Sequence, residues 1–133
     1  MGKLSPTYIV EDGVIPRNLL PEVLDKVMDI GLKYGLTICN VFHAGDGNLH
    51  PLILYDFRKE GDEKRATQAG HEILKICIES GGTVSGEHGI GYEKRELLPF
   101  QFDKDSLDIM LKIKELFDPK FLLNPKKIFP DSK

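Results

Sequence analysis

The run Leu36-Thr37-Ile38-Cys39-Asn40-Val41-Phe42-His43-Ala44-Gly45-Asp46-Gly47-Asn48-Leu49-His50-Pro51-Leu52-Ile53-Leu54-Tyr55 decides the fold. Leu36–Phe42 and Leu49–Tyr55 are β-prone and mostly apolar, and Gly45-Asp46-Gly47 between them supplies turn chemistry, so the run reads as two buried strands. Upstream, Leu20, Val23, Leu24, Val27, Ile30 and Tyr34 recur at helical spacing. With Pro21 in the first turn and Gly35 as a stop, they predict a helix over Leu19–Tyr34. Downstream, Ala66, Ala69, Ile73, Ile76 and Cys77 keep the same period over Asp62–Glu79, and Gly81-Gly82 closes that helix. A β-prone run beginning Tyr8-Ile9-Val10 and ending near Gly13 and Pro16 precedes the first helix. Thr83-Val84-Ser85 follows the second as a brief strand. The order strand, helix, strand, strand, helix, strand predicts an α+β protein with a ferredoxin-like β-α-β-β-α-β antiparallel sheet, both helices on one face. This core covers about residues 7–90. Beyond it, Leu107, Met110, Ile113 and Leu116 predict a third helix over Asp105–Phe117, halted by Asp118-Pro119. That helix and an irregular tail over Phe121–Phe129 make residues 91–133 a C-terminal helical extension.

A chain of 133 residues holds one domain of ordinary size. Its composition, 41% hydrophobic and 29% charged, is that of a globular protein with a sizeable core. Eighteen basic against 21 acidic residues, a net charge of −3, give no electrostatic footprint for nucleic acid. No apolar run approaches the roughly 20 residues of a membrane span, and Met1–Glu11 lacks the layout of a signal peptide. Cys39 and Cys77 both stand in apolar stretches and read as buried free thiols of a reducing compartment. The expected location is the cytoplasm, with attachment to the membrane through a larger complex as the variant.

The chemistry concentrates in two Gly-rich loops. His43 and His50 bracket Ala44-Gly45-Asp46-Gly47-Asn48-Leu49 at the turn between the central strands, where the backbone can bend until both imidazoles face one point. Glu87-His88 lies in the second loop, Gly86-Glu87-His88-Gly89-Ile90-Gly91, directly after the last strand. Two His and one carboxylate form a ligand set for zinc, manganese or iron with open positions, and His88 beside it could act as a base. Against this stands the plainer reading, in which Gly-Asp-Gly is an ordinary turn and the histidines share it by coincidence. His71 reads as a solvated or helix-packing residue, and Lys94-Arg95 and Lys126-Lys127 as solvated basic pairs. There is no dinucleotide-binding or phosphate-loop fingerprint.

His43-Ala44-Gly45-Asp46-Gly47-Asn48-Leu49-His50-Pro51 and Gly82-Thr83-Val84-Ser85-Gly86-Glu87-His88-Gly89-Ile90-Gly91 resemble the two signature loops of the FAD-linked oxidase C-terminal domain family. Phe117-Asp118-Pro119 with Leu123-Asn124-Pro125 is similar to its closing segment. The resemblance runs from about Tyr8 to Phe129. It implies part of an FAD-dependent oxidoreductase that converts a 2-hydroxy acid to a 2-keto acid, of the glycolate oxidase or D-lactate dehydrogenase type. It implies further that His43, His50 and Glu87 hold a divalent metal, usually zinc, that His88 contacts substrate as the base, and that Asn124 and Lys126 lie near the flavin. The family's usual Asn-Pro-Gly-Lys reads Asn124-Pro125-Lys126-Lys127 here. Val10 and Leu52 stand where the 2-hydroxyglutarate branch carries polar substrate contacts, which implies a small 2-hydroxy monocarboxylate as substrate. Family members are several times longer, and their FAD-binding domain lies N-terminal to this region, so the implied partner is an FAD-binding domain or subunit. The alternative is a stand-alone metal-binding or small-molecule-binding ferredoxin-like module.

A domain cut from such a neighbour exposes an apolar face, and apolar patches larger than a few hundred Å² tend to be covered by association. The isolated chain is therefore expected to self-associate, and a sedimentation profile that stays monomeric at high concentration would contradict this.

Overall fold

A computed structural model describes residues 3–130 of the chain. Strands β1 (Thr7–Val10), β2 (Gly13–Val14), β3 (Thr37–His43) and β4 (Asn48–Tyr55) form one antiparallel sheet. All three partners pair with β4: β1 and β2 along one edge, β3 along the other. The register runs unchanged from β1 into β2, with Val10 opposite Leu52 and Gly13 opposite Leu49. They are thus one extended segment, interrupted at Glu11 and Asp12 rather than running on as the sequence predicts. The predicted fourth strand at Thr83–Ser85 shrinks to a single bridge, Thr83 with Val14. Its ladder stops because the next groups bond elsewhere: the Val84 amide donates to Gln101 Oε1, and Ser85 and Gly86 donate to Asp12. Even so, the spatial order is the ferredoxin-like one, and the fold is α+β as expected.

Helices α1 (Leu20–Tyr34) and α2 (Asp62–Glu79) stand where the periodicities put them, α1 being preceded by a 3-10 turn over Arg17–Leu19. Both pack on one sheet face. Val23, Val27 and Ile30 of α1 and Ala66, Ala69, Ile73 and Cys77 of α2 close over Ile38, Leu49 and Ile53. Residues directly opposite in an antiparallel pair share a face, and alternate residues change face. Tyr8, Val10, Cys39, Val41, His50, Leu52 and Leu54 therefore fall on the other face, which no helix covers. Tyr8 and Val41 are about half exposed there, while Leu52 and Leu54 are buried. Cys39 lies on it half-buried rather than in the core, whereas Cys77 is fully buried.

The extension contains more than the sequence predicts. A 3-10 turn (Arg95–Leu97) and the short helix α3 (Leu98–Gln101) place Leu97 and Leu98 against Leu74 and Val84, a second small core. Four residues are too few to show a helical period. Helix α4 (Lys104–Phe117), capped by Asp103 on the Ser106 amide, packs through Leu107, while Ile109, Ile113, Leu116 and Phe117 stay exposed.

Two acids interrupt the first strand, and they point to opposite faces. Glu11 turns under α2, where a Cβ on Gly70 would lie 2.2 Å from its Oε1, so any larger residue at 70 would have to displace the buried carboxyl. Burial pushes the Glu11 carboxyl up from its ordinary 4.5 to about 7, with Lys94 opposing. The folded state then holds a proton that the unfolded chain releases between those values, so stability falls as pH rises through this window. Urea unfolding from pH 4 to 8 should show that slope, and Glu11→Gln should flatten it, gaining on the order of 2 kcal/mol at pH 8.

Candidate metal centre

The two central strands are joined by the four residues Ala44–Gly47, closed by amides of Asp46 and Gly47 donating to the His43 carbonyl. Gly47 has φ +75°, and a Cβ there would lie 2.1 Å from the Ile15 carbonyl oxygen, so the turn needs glycine on both counts. The hairpin sets His43 opposite Asn48 and Val41 opposite His50. His43, Asn48 and His50 hence share the open face at one end of the sheet. The imidazoles of His43 and His50 meet edge-on with ring centres 5.4 Å apart.

The second loop comes to them through Asp12. This carboxylate is fully buried opposite His50. Its Oδ2 accepts from Ser85 Oγ at 2.6 Å and from the amides of Gly86, Glu87 and His88 at 3.0, 3.0 and 2.8 Å. Lys94 Nζ stands 3.5 Å from the same oxygen. Burial alone would raise the Asp12 carboxyl, but the Ser85 hydroxyl, the His88 and Glu87 amides and Lys94 outweigh it and hold the group well below the usual range.

Glu87 is thereby delivered to both hairpin imidazoles: Oε1 lies 3.8 Å from His43 Nε2, and Oε2 lies 3.7 Å from His50 Nε2. His50 Nδ1 lies 3.2 Å from the Glu11 carbonyl oxygen. A carbonyl only accepts, so Nδ1 carries a proton, and in the neutral ring Nε2 is the acceptor that faces Glu87 and His43. Ligand atoms of His43, His50 and Glu87 lie within 4.8 Å of one another. Atoms bound tetrahedrally to one zinc at ~2.1 Å are about 3.4 Å apart, so the trio fits such an ion with small adjustments. Glu87 and His43 are just over half exposed, leaving the outer coordination positions open, while His50 is largely buried beneath them. His88 stacks on His50 with ring centres 5.3 Å apart. Asp12, His50 and His88 also fall within ligand distance of one another, but the Asp12 oxygens are already taken by hydrogen bonds.

All four loop residues expected from the sequence converge. Asn124 and Lys126 do not join them. Both are exposed on the tail in left-handed conformations, with Lys126 lining a separate cavity beside Leu111 and Phe121. Lys94 and Arg95, expected to be solvated, are buried. Lys94 pairs with Asp12, while Arg95 lies over the Tyr92 ring and donates to the Lys126 carbonyl. Asp12, which ties the second loop to the sheet, is not singled out by the sequence; its one local signal is a pair of acids, Glu11-Asp12, directly before Gly13 in a β-prone run.

Fold and site together define an α+β domain that brings two imidazoles and a carboxylate to one point, with a third imidazole beside them, on the sheet face away from α1 and α2. Residues 1–128 match the family model described as FAD linked oxidases, C-terminal domain, and the chain belongs to that family. It is 48% identical over 130 residues to the glycolate oxidase subunit GlcD of Escherichia coli K12, covering 98% of this chain and 26% of that protein. It is 42% identical over 129 residues to the GlcD subunit of Bacillus subtilis, covering 97% and 27%. With a D-lactate dehydrogenase of Archaeoglobus fulgidus it shares 38% identity over 125 residues, covering 90% and 26%. The chain thus spans about a quarter of the length of these relatives.

Calorimetric titration of zinc into the chain should give a one-site isotherm that disappears in His43→Ala and in His50→Ala.

Proposed function

We propose that this chain is the substrate- and metal-bearing part of an FAD-dependent 2-hydroxyacid oxidoreductase of the glycolate oxidase or D-lactate dehydrogenase type. The observation that carries the reading is the meeting of His43, His50 and Glu87 at one exposed point, with His88 stacked alongside. His43, His50 and Glu87 would hold a divalent cation, zinc by preference, which would supply Lewis acidity that makes the hydroxyl of a 2-hydroxy acid more acidic. FAD supplies the hydride acceptor. His88, outside the ligand trio and exposed, takes the hydroxyl proton as general base. His50 stays in one tautomer because the Glu11 carbonyl occupies its other nitrogen.

The sheet face beside the cage is apolar, and Val10 and Leu52 sit opposite each other one pair beyond Asp12 and His50. Those two apolar side chains offer no charge to a second carboxylate, which favours a small 2-hydroxy monocarboxylate such as glycolate or lactate. The same face suits an FAD-binding domain or subunit, since flavin and substrate must meet above the cage. Asn124 and Lys126, exposed on the tail, are assigned to flavin contact. The free thiols Cys39 and Cys77 fit a reducing compartment, the cytoplasm. Among the described residues no helix is long and apolar enough to cross a membrane.

The test is turnover with the flavin-binding partner supplied, either fused N-terminally or as a separate subunit. Glycolate or D-lactate should be oxidised with kcat/KM at least about tenfold above that for D-2-hydroxyglutarate. His88→Ala should lower kcat by roughly 10²–10⁴-fold while zinc stays bound. An unchanged kcat in that variant refutes the assignment of the base.

A further inference from the structure

We infer that Asp12 is a positioning residue of this centre: its carboxylate holds the Gly86–His88 backbone against the hairpin and so sets where Glu87 and His88 stand relative to His43 and His50. The inference rests on the proposed metal cage and adds to it the group that assembles it.

Three features separate this role from ordinary packing. First, Asp12 is fully buried yet finds its partners among polar groups. On its face of the sheet it meets the second loop, His50 and Lys94. Second, its donors are concentrated. Ser85, Gly86, Glu87 and His88 are four consecutive residues, and all give a hydrogen bond to Oδ2. A single atom therefore fixes the main chain of the two residues whose side chains form half the centre. Third, it touches both halves. Oδ1 stands 3.9 Å from His50 Nδ1, and the Asp12 carbonyl also accepts from the Gly86 amide at 2.9 Å. A fully buried carboxylate survives only where such partners replace its water, and here nearly every partner belongs to the site or its loop. Direct metal ligation is a poor alternative, because Oδ2 has four donors and Oδ1 takes the Glu87 amide at 3.2 Å. Lys94 completes the arrangement. Its Nζ is buried and makes no hydrogen bond among the described residues, so it acts on Asp12 as a charge.

Asp12→Asn keeps the shape and removes the charge. It also presents an amide N–H where the loop amides point. In the metal-free chain, hydrogen exchange at Gly86, Glu87 and His88 should speed up at least about tenfold, while Val27, Ile53 and Ile73 keep their protection. Cobalt(II), used as a spectroscopic stand-in for zinc, should bind roughly 10–100-fold more weakly yet give the wild-type visible spectrum at saturation. Three results overturn the inference: unchanged affinity with unchanged exchange, equal loss of protection across the core, or a changed saturated spectrum that makes Asp12 a ligand. Should Asp12→Asn not fold, Ser85→Ala removes one of the four donors and leaves the charge. It should weaken cobalt binding about threefold or more without changing core exchange, and wild-type behaviour there also overturns the inference. If the unaltered chain shows no cobalt binding that depends on His43 and His50, the metal reading itself falls. The exchange measurement then still decides whether Asp12 holds the loop.

Discussion

Every strand of the sheet is paired through β4, and that one constraint settles which side chains can meet. Alternation along β4 sends Leu49 and Ile53 under the helices and turns His50, Leu52 and Leu54 the other way. A slip of one residue would put the His50 imidazole in the core and Leu49 among the ligands. The apolar packing beneath α1 and α2 thus does more than stabilise the domain. By demanding Leu49 and Ile53 on its side, it forces His50, and with it His43, onto the open side.

Charge is distributed by the same two-sidedness. Glu11 and Asp12, adjacent in sequence, go to opposite faces, and Lys94 lies close enough to influence both. Asp12 gathers donors and stays ionised. Glu11 has α2 against it, held close by Gly70, and keeps its proton well above the usual carboxylate range. The main chain of Glu11 nevertheless reaches this cluster, since its carbonyl accepts a hydrogen bond from His50 Nδ1. One dipeptide therefore reaches His50 through the Glu11 main chain and the second loop through the Asp12 carboxylate.

Much of this was legible in the sequence, and the exceptions share a cause. The helices over residues 20–34 and 62–79 announce themselves because their apolar periods are long. The hairpin does so because Gly-Asp-Gly separates two β-prone runs. His43, His50, Glu87 and His88 stand out as polar chemistry inside Gly-rich loops. The interrupted first strand, the single bridge at Thr83 and the burial of Lys94 and Arg95 were hidden because each depends on a partner far along the chain. Nothing near Lys94 in sequence foretells Asp12, and nothing near Thr83 foretells that Gln101 will take the next amide. The four-residue α3 was too short to leave a periodic trace.

The order in which the centre can be assembled follows from where its contacts lie along the chain. The His43–His50 hairpin closes across four residues, the kind of local event that takes microseconds. The bond from Ser85 to Asp12 joins groups 73 positions apart, with α1, the hairpin and α2 all lying between. Its loop-closure entropy is recovered only after those elements have docked. During synthesis the first strand leaves the ribosome early and waits, its Asp12 hydrated, until residues 85–88 emerge. The imidazole pair is therefore an early product of folding, and its union with Glu87 and His88 is a late one, waiting on a contact that spans α1, the hairpin and α2.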